Sequence, residues 1–279
     1  MSAMAPPIGV LVAMVGVFGL AIGSFLNVVV YRVPAGISVV SPPSACPSCS
    51  HPIRRRDNVP VLSWLVLLGR CRDCRTPIPV RYPAVEASTG VLFAIVTAVW
   101  ASSGAGARTA EPGRVVVLVA LLYLMAVSVA LALIDIDTHR LPNAITYPSA
   151  IVITVLLVVA SVVSGDWGAL VRGLIGAVGL SAVYLALALA VPGGMGLGDV
   201  KLAVVLGLAM AYLGWGPLAV GAFGAFLVGG IFAIVLLLVG RARWRGGVPF
   251  GPAMLTGAWI GVFFGAPLWS LYLGVLGLA

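Results

Sequence analysis

Apolar positions along this chain come in long unbroken runs rather than in alternation. Eight such runs, at about 8–30, 84–100, 115–134, 144–163, 170–191, 201–216, 218–239 and 252–276, predict helices. Most approach the ~20 residues needed to cross a hydrocarbon core. The sixth is short and stops at Leu213-Gly214-Trp215-Gly216-Pro217. In lipid every backbone N–H and C=O must be paired internally, which leaves helices or closed barrels, and runs this long exclude barrel strands. The predicted fold class is all-α: a polytopic membrane protein with about eight transmembrane helices. The first run has no basic residue before it, and its apolar core is too long for a cleaved signal peptide, so it is read as a retained span.

Composition narrows the class further. Of 279 residues, 61% are hydrophobic and only 9% charged. Mean hydropathy is +1.16. That is too little charge to coat a water-facing surface, so a soluble enzyme is excluded, and a disordered chain is excluded by the same numbers. The net charge of +8 could signal nucleic acid. The distribution of the charges argues otherwise. With the first helix's N-terminus facing outward, loops 32–83, 135–143, 192–200 and 240–251 become cytoplasmic. Together with the adjoining Lys201 they hold all 16 basic residues except Arg108, Arg114 and Arg172. This is the positive-inside asymmetry, and it explains the basic balance with membrane lipid, not nucleic acid, as the partner. Loop 101–113 reads as a plain external connector, and no internal repeat is evident.

Loop 32–83 differs from the others. It contains all four cysteines, as Cys46-Pro-Ser-Cys49 and Cys71-Arg-Asp-Cys74, a C-x2-C-x21-C-x2-C pattern. Two such knuckles can surround one tetrahedral Zn²⁺ with four thiolates. The reducing cytoplasm disfavours disulfides, and reduced pairs or a redox switch are the other readings. A loop of this size buries little core, so a structural zinc would supply folding energy. The expectation is a zinc-stapled cytoplasmic loop held by Cys46, Cys49, Cys71 and Cys74.

Acids near membrane spans are costly and therefore informative. The third long run ends in Ile134-Asp135-Ile-Asp137-Thr-His139-Arg140-Leu-Pro142-Asn143. The segment before the sixth reads Gly193-Gly194-Met-Gly196-Leu-Gly198-Asp199-Val-Lys201. The alternating topology puts Asp135 and Asp199 at one cytoplasmic face. Two carboxylates meeting there can divide acid and base roles, because like charges this close do not both ionise. Such a pair can activate water against a peptide carbonyl and protonate the leaving nitrogen. Glycines 193, 194, 196 and 198 would let a substrate strand approach Asp199. The same aspartates also suit a proton- or metal-coupled transporter, or a structural role, with Asp135 paired to an arginine and Asp137 and Lys201 as interfacial charges. A transporter site would sit near midplane in two repeated halves, which this pattern lacks.

At these residues the chain closely resembles the type IV prepilin peptidase family. The resemblance is carried by Gly23-Ser-Phe-Leu-Asn-Val-Val-Val-Tyr-Arg-Val-Pro34, the two cysteine pairs, Asn58-Val-Pro-Val-Leu-Ser-Trp-Leu65 and Arg81-Tyr-Pro-Ala-Val-Glu86. Ile134–Asn143 and Gly194–Lys201 resemble the family's two aspartate motifs. It runs from about residue 16 to about 240, and the last helix adds little. The resemblance implies a bacterial inner-membrane aspartyl protease of the GxGD type. Such an enzyme cuts the leader from type IV prepilins and pseudopilins, of the type IV pilus and type II secretion, at the cytoplasmic face. It then N-methylates the new N-terminal residue from S-adenosylmethionine. On this resemblance the catalytic aspartates fall on Asp135 and Asp199, with Asp137 as the alternative for the first. The four cysteines take the metal positions. Glu86 is either part of the S-adenosylmethionine site or a structural partner for Arg81 or another loop arginine. His51 and His139 are unassigned. The implied organisation is a methyltransferase-associated part at 1–101, a peptidase domain at 114–240, and a basic loop with a last helix at 241–279.

Overall fold

The computed structural model describes residues 7–103, 111–190, 195–239 and 249–277. Arg108, Gly193, Gly194, Arg241, Arg243 and Arg245 lie outside them. Among the described residues every regular element is helical. The helices are α1 (Ile8–Arg32), α2 (Leu62–Val66), α3 (Arg81–Ser102), α4 (Pro112–Thr138), α5 (Asn143–Ser164), α6 (Trp167–Ala190), α7 (Leu197–Leu213), α8 (Trp215–Leu238) and α9 (Gly251–Val275). Seven of these, all but α2 and α7, are long and apolar enough to cross a membrane. The chain is a multi-pass membrane protein. The expected eighth span is α7, whose 17 residues rise only ~25 Å at 1.5 Å each, short of a ~30 Å hydrocarbon core.

The chain divides into two compact units. One holds residues 1–110 with 122–130, the other 111–121 with 131–279. In the first unit α1 packs on α3. The contact is close: a Cβ added to Gly19 would lie 2.9 Å from Gly90 Cα, so two backbones meet where a side chain would keep them apart.

Between α1 and α3 the chain forms the two cysteine knuckles, and here a repeat emerges that the sequence pattern hid. In the first knuckle Cys46 N–H donates to His51 O (3.0 Å), Ser50 N–H to Cys46 O (2.8 Å) and Ile53 N–H to Ser44 O (2.9 Å). In the second, Cys71 N–H donates to Thr76 O (2.8 Å), Arg75 N–H to Cys71 O (3.0 Å) and Ile78 N–H to Gly69 O (2.7 Å). Each partner sits 25 positions after its counterpart, as Cys71 does after Cys46. Ser50 (φ 58°) and Arg75 (φ 62°) occupy the matching left-handed positions. The expectation of no internal repeat is corrected. The repeat is a turn geometry anchored by C-x2-C-x2-Pro-Ile, too short to register as sequence similarity. Two ion pairs brace the knuckles: Arg72 Nε donates to Asp57 Oδ2 at 2.8 Å, and Arg54 Nη2 lies 3.1 Å from Asp73 Oδ1.

In the second unit α7 is the centre, touching α5, α6, α8 and α9. It is apolar on all sides, and a helix hydrophobic all round is buried. Leu202, Ala203 and Ala211 are fully inaccessible. Gly207 admits α6 closely, since a Cβ there would come within 2.9 Å of Gly176 C. At its far end Arg172 Nε and Nη2 donate to Ala211 O and Tyr212 O, both at 2.7 Å, and Tyr212 Oη lies 3.0 Å from Ser161 Oγ. A cation thus satisfies the last carbonyls of α7, as the helix dipole favours.

Candidate active site and metal centre

Asp199 belongs to a helix rather than to the glycine-rich loop expected from sequence. Gly196, extended at φ −83° and ψ 150°, is the N-cap of α7. Asp199 N–H donates to Gly196 O (3.0 Å), and Gly196 N–H donates back to Asp199 Oδ2 (3.1 Å). This reciprocal closure fixes the carboxylate in the first helical turn, where the dipole favours negative charge. Asp135 arrives from the opposite kind of terminus. Helix α4 runs past its apolar stretch to Thr138 and ends where His139 turns left-handed (φ 51°), with its N–H on Asp135 O at 2.8 Å. A carboxylate in the last turn opposes its own helix dipole. The compensation comes from α9, whose first residue, Gly251, donates its N–H to Asp135 Oδ2 at 3.1 Å.

Both carboxylates are buried, Asp135 at 5% and Asp199 at 8% exposure. They lie within electrostatic reach of each other. Leu141 packs between their supports: a Cβ on Gly198 would meet Leu141 Cβ at 3.1 Å, and one on Gly251 would meet Leu141 Cδ2 at 3.3 Å. A second link joins the two motifs directly. Lys201 Nζ donates to Asn143 Oδ1 at 2.9 Å and sits 5.1 Å from the centroid of Tyr147. Lys201 is therefore a clasp between α7 and α5, not merely an interfacial charge. Asp137 and His139 are exposed.

Each aspartate spends its Oδ2 on a glycine N–H, and among the described residues Oδ1 of each carries no hydrogen bond. Two buried carboxylates with one oxygen each held and one open can position a water between them and exchange protons with it. Three contributors escaped the sequence reading. Gly251 lies in the last helix, beyond the motifs. Phe250 precedes it and closes an aromatic cluster with Tyr184 (6.2 Å) and Phe226 (5.6 Å). Tyr184, almost fully buried, stands within electrostatic reach of Asp199. Nothing in their local sequence sets these residues apart from ordinary span aromatics and glycines.

Gly196 and Gly198 differ in what they require. A Cβ on Gly196 would find nothing nearer than Asp199 Oδ2 at 3.7 Å, and its φ is ordinary. Gly198 is the tight one, and what it accommodates is Leu141 of this chain.

The four cysteines come together as a group that could hold a metal ion, with their Sγ atoms all within 4.8 Å of one another. Cys46 Sγ and Cys74 Sγ are 3.7 Å apart. Tetrahedral Zn–S bonds of ~2.3 Å require S–S edges of about 3.8 Å, so the set fits that ion. Cys74 Sγ lies 3.3 Å from Thr76 Oγ1, and this side chain together with the Thr76 backbone N–H holds the thiol down to about 6, toward the thiolate a metal needs. His51 contributes its carbonyl to the turn and is not part of the group. Glu86 is engaged structurally: Val61 N–H donates to its Oε2 at 2.6 Å.

Residues 17–100 match the family model for the bacterial peptidase A24 N-terminal domain, and residues 122–234 match that for the type IV leader peptidase family. A prepilin leader peptidase/N-methyltransferase of Burkholderia pseudomallei (strain 1026b) is 34% identical over 298 residues, covering 95% of this chain and 89% of that protein. Proteins of the same name from Aeromonas hydrophila (35% identity, 94% and 93% coverage) and Neisseria gonorrhoeae (34%, 89% and 89%) are similar throughout. No solved structure matches the chain.

Proposed function

This chain belongs to the type IV leader peptidase family, and on that premise we propose that it removes the leader of type IV prepilins and pseudopilins and N-methylates the new N-terminus. Its place would be the bacterial inner membrane, with the site at the cytoplasmic face, as the arginine distribution supports.

The observation that carries the reading is the pair of buried carboxylates, Asp135 and Asp199, each with one oxygen tied to a glycine N–H. In the proposed reaction one aspartate is ionised and the other carries a proton. The ionised one takes a proton from water as its oxygen adds to the scissile carbonyl carbon. The protonated one first donates to the carbonyl oxygen. The leaving nitrogen then receives the proton gained from water as the C–N bond breaks, and one hydroxyl of the tetrahedral gem-diol gives its proton back to the aspartate that had donated one, which returns the pair to a one-proton state. The glycine N–H bonds keep both carboxylates in place through this exchange, so little is spent on reorienting them.

Cys46, Cys49, Cys71 and Cys74 would hold one zinc ion. With four thiolates it has no open position, so its contribution is to the fold of the loop. S-adenosylmethionine would supply the methyl group. Glu86, one candidate for that site, has one oxygen committed to the Val61 N–H and so supports the loop. The relatives described above are named for peptide cleavage and methylation, which leaves the transport reading without support.

The test is incubation of the detergent-solubilised protein with a prepilin and S-adenosylmethionine, read by mass spectrometry. Leader loss with one added methyl is expected. An intact prepilin at full enzyme occupancy would overturn the reading.

A further inference from the structure

Helix α2 is a single turn and a half in the cytoplasmic loop, yet it shows apolar side chains outward. Leu62 and Leu65 are each 56% exposed, Val66 68% and Leu68 83%. Leu68 is held there at φ 52°, a left-handed conformation that a branched side chain resists. In a small loop domain with little core to spare, four such side chains turned away from the core mark an interaction surface.

Three contacts fix where that surface lies. Asn27 Nδ2 of α1 donates to Tyr82 O of α3 at 3.2 Å, which brings the end of one span beside the start of the other. Both ends of the loop are thus tethered at one membrane face. Val61 N–H, at the entry to α2, binds Glu86 Oε2 at 2.6 Å. Glu86 is five residues inside α3, which begins at Arg81. Even with its side chain leaning toward the helix start, the bond lies at the level of the first two turns of a membrane-crossing helix. Trp64 Nε1 then donates to Ile78 O at 3.0 Å, locking α2 to the second knuckle at that depth.

Charge is placed to match. Residues 33–80 carry six arginines against two aspartates. Asp57 and Asp73 are paired with Arg72 and Arg54, which leaves Arg55, Arg56, Arg70 and Arg75 without an acidic partner among the described residues. An apolar face flanked by uncompensated arginines at interfacial depth is complementary to an anionic bilayer surface.

We propose that the segment Leu62–Leu68 is a membrane-seated wedge: Leu62, Leu65, Val66 and Leu68 enter the boundary between headgroups and acyl chains, and Arg55, Arg56, Arg70 and Arg75 bind anionic headgroups. The wedge keeps the metal knuckles against the membrane, at the face where a membrane-embedded substrate presents its terminus.

The test uses the full-length protein in nanodiscs containing phosphatidylglycerol. An environment-sensitive fluorescent amino acid replaces Leu65 in one variant and Leu68 in another, each checked for wild-type elution in size exclusion. Nitroxide on a shallow acyl carbon should quench both labels, and aqueous iodide should quench them at least about twofold less than it does in the denatured chain, as expected for side chains ~5–10 Å below the headgroup surface. Iodide access at either position without nitroxide quenching overturns the proposal. So does a photoreactive residue at position 68 that labels an added prepilin rather than lipid, since that would assign the surface to substrate. Neither readout depends on cleavage or methylation.

Discussion

Gly251 N–H lies 3.1 Å from Asp135 Oδ2, tying the first residue of the last helix to an acid 116 residues earlier. No side chain is tolerated at that contact, because a Cβ on Gly251 would sit 2.7 Å from Oδ2 itself. Gly251→Ala should therefore displace the carboxylate while leaving the titratable groups intact. Cleavage is expected to fall by about 10²-fold, the usual consequence of moving a reacting group by an ångström. Initial rates at equal folded concentration measure it. A rate within a factor of about two of wild type would show that Asp135 does not depend on this anchor.

Asp135→Asn and Asp199→Asn should each reduce cleavage by roughly 10²–10⁴-fold or more, since an amide cannot exchange the proton. Asp137 is exposed and two residues further along α4. Asp137→Asn is expected to retain cleavage. An inactive Asp137→Asn beside an active Asp135→Asn would move the first catalytic position by two residues.

Gly198→Val should cripple cleavage, because its Cβ already meets Leu141 Cβ at 3.1 Å and its methyls press further. Gly198→Ala should be milder, and Gly196→Ala milder still, since among the described residues a Cβ on Gly196 would meet nothing nearer than Asp199 Oδ2 at 3.7 Å. The ranking of the three rates checks this. Equal rates for the Gly198→Val variant and the wild type would remove the packing argument.

Lys201→Met and Asn143→Ala should each lower the cleavage rate about three- to tenfold, in the range of one ordinary hydrogen bond. The double variant should be no worse than either single one, because both substitutions break the same clasp. Additive losses would mean that the two residues act separately.

Purified protein should contain about one Zn²⁺ per chain, and a Cys46→Ser/Cys49→Ser variant should lose it. Elemental analysis decides. Because the four cysteines lie in the first unit and the aspartates in the second, loss of the ion should lower methylation before cleavage. Equal loss of both would show that the loop also supports proteolysis.

Much of this protein was fixed by local pattern. Long unbroken apolar runs in a chain this poor in charge predict membrane helices, so the long helices follow from hydropathy. The cysteines at 46, 49, 71 and 74 announce a metal site because thiolate spacing is a short-range property, and Asp135 and Asp199 stand out because acids at span ends are costly. Tertiary structure decided what those signals are attached to. Asp199 sits inside α7 because the helix begins at Leu197, four residues before the apolar run. Gly251, which meets Asp135, begins a helix whose sequence reads as an ordinary span, and Phe250 immediately precedes it; a backbone N–H is the same in every residue but proline. The expected sixth span became instead the buried helix α7 at the core of its unit, because being apolar on every face specifies burial but not by which neighbours. Glu86 Oε2 accepts from the Val61 N–H, a contact that exists only once the loop has folded back on α3.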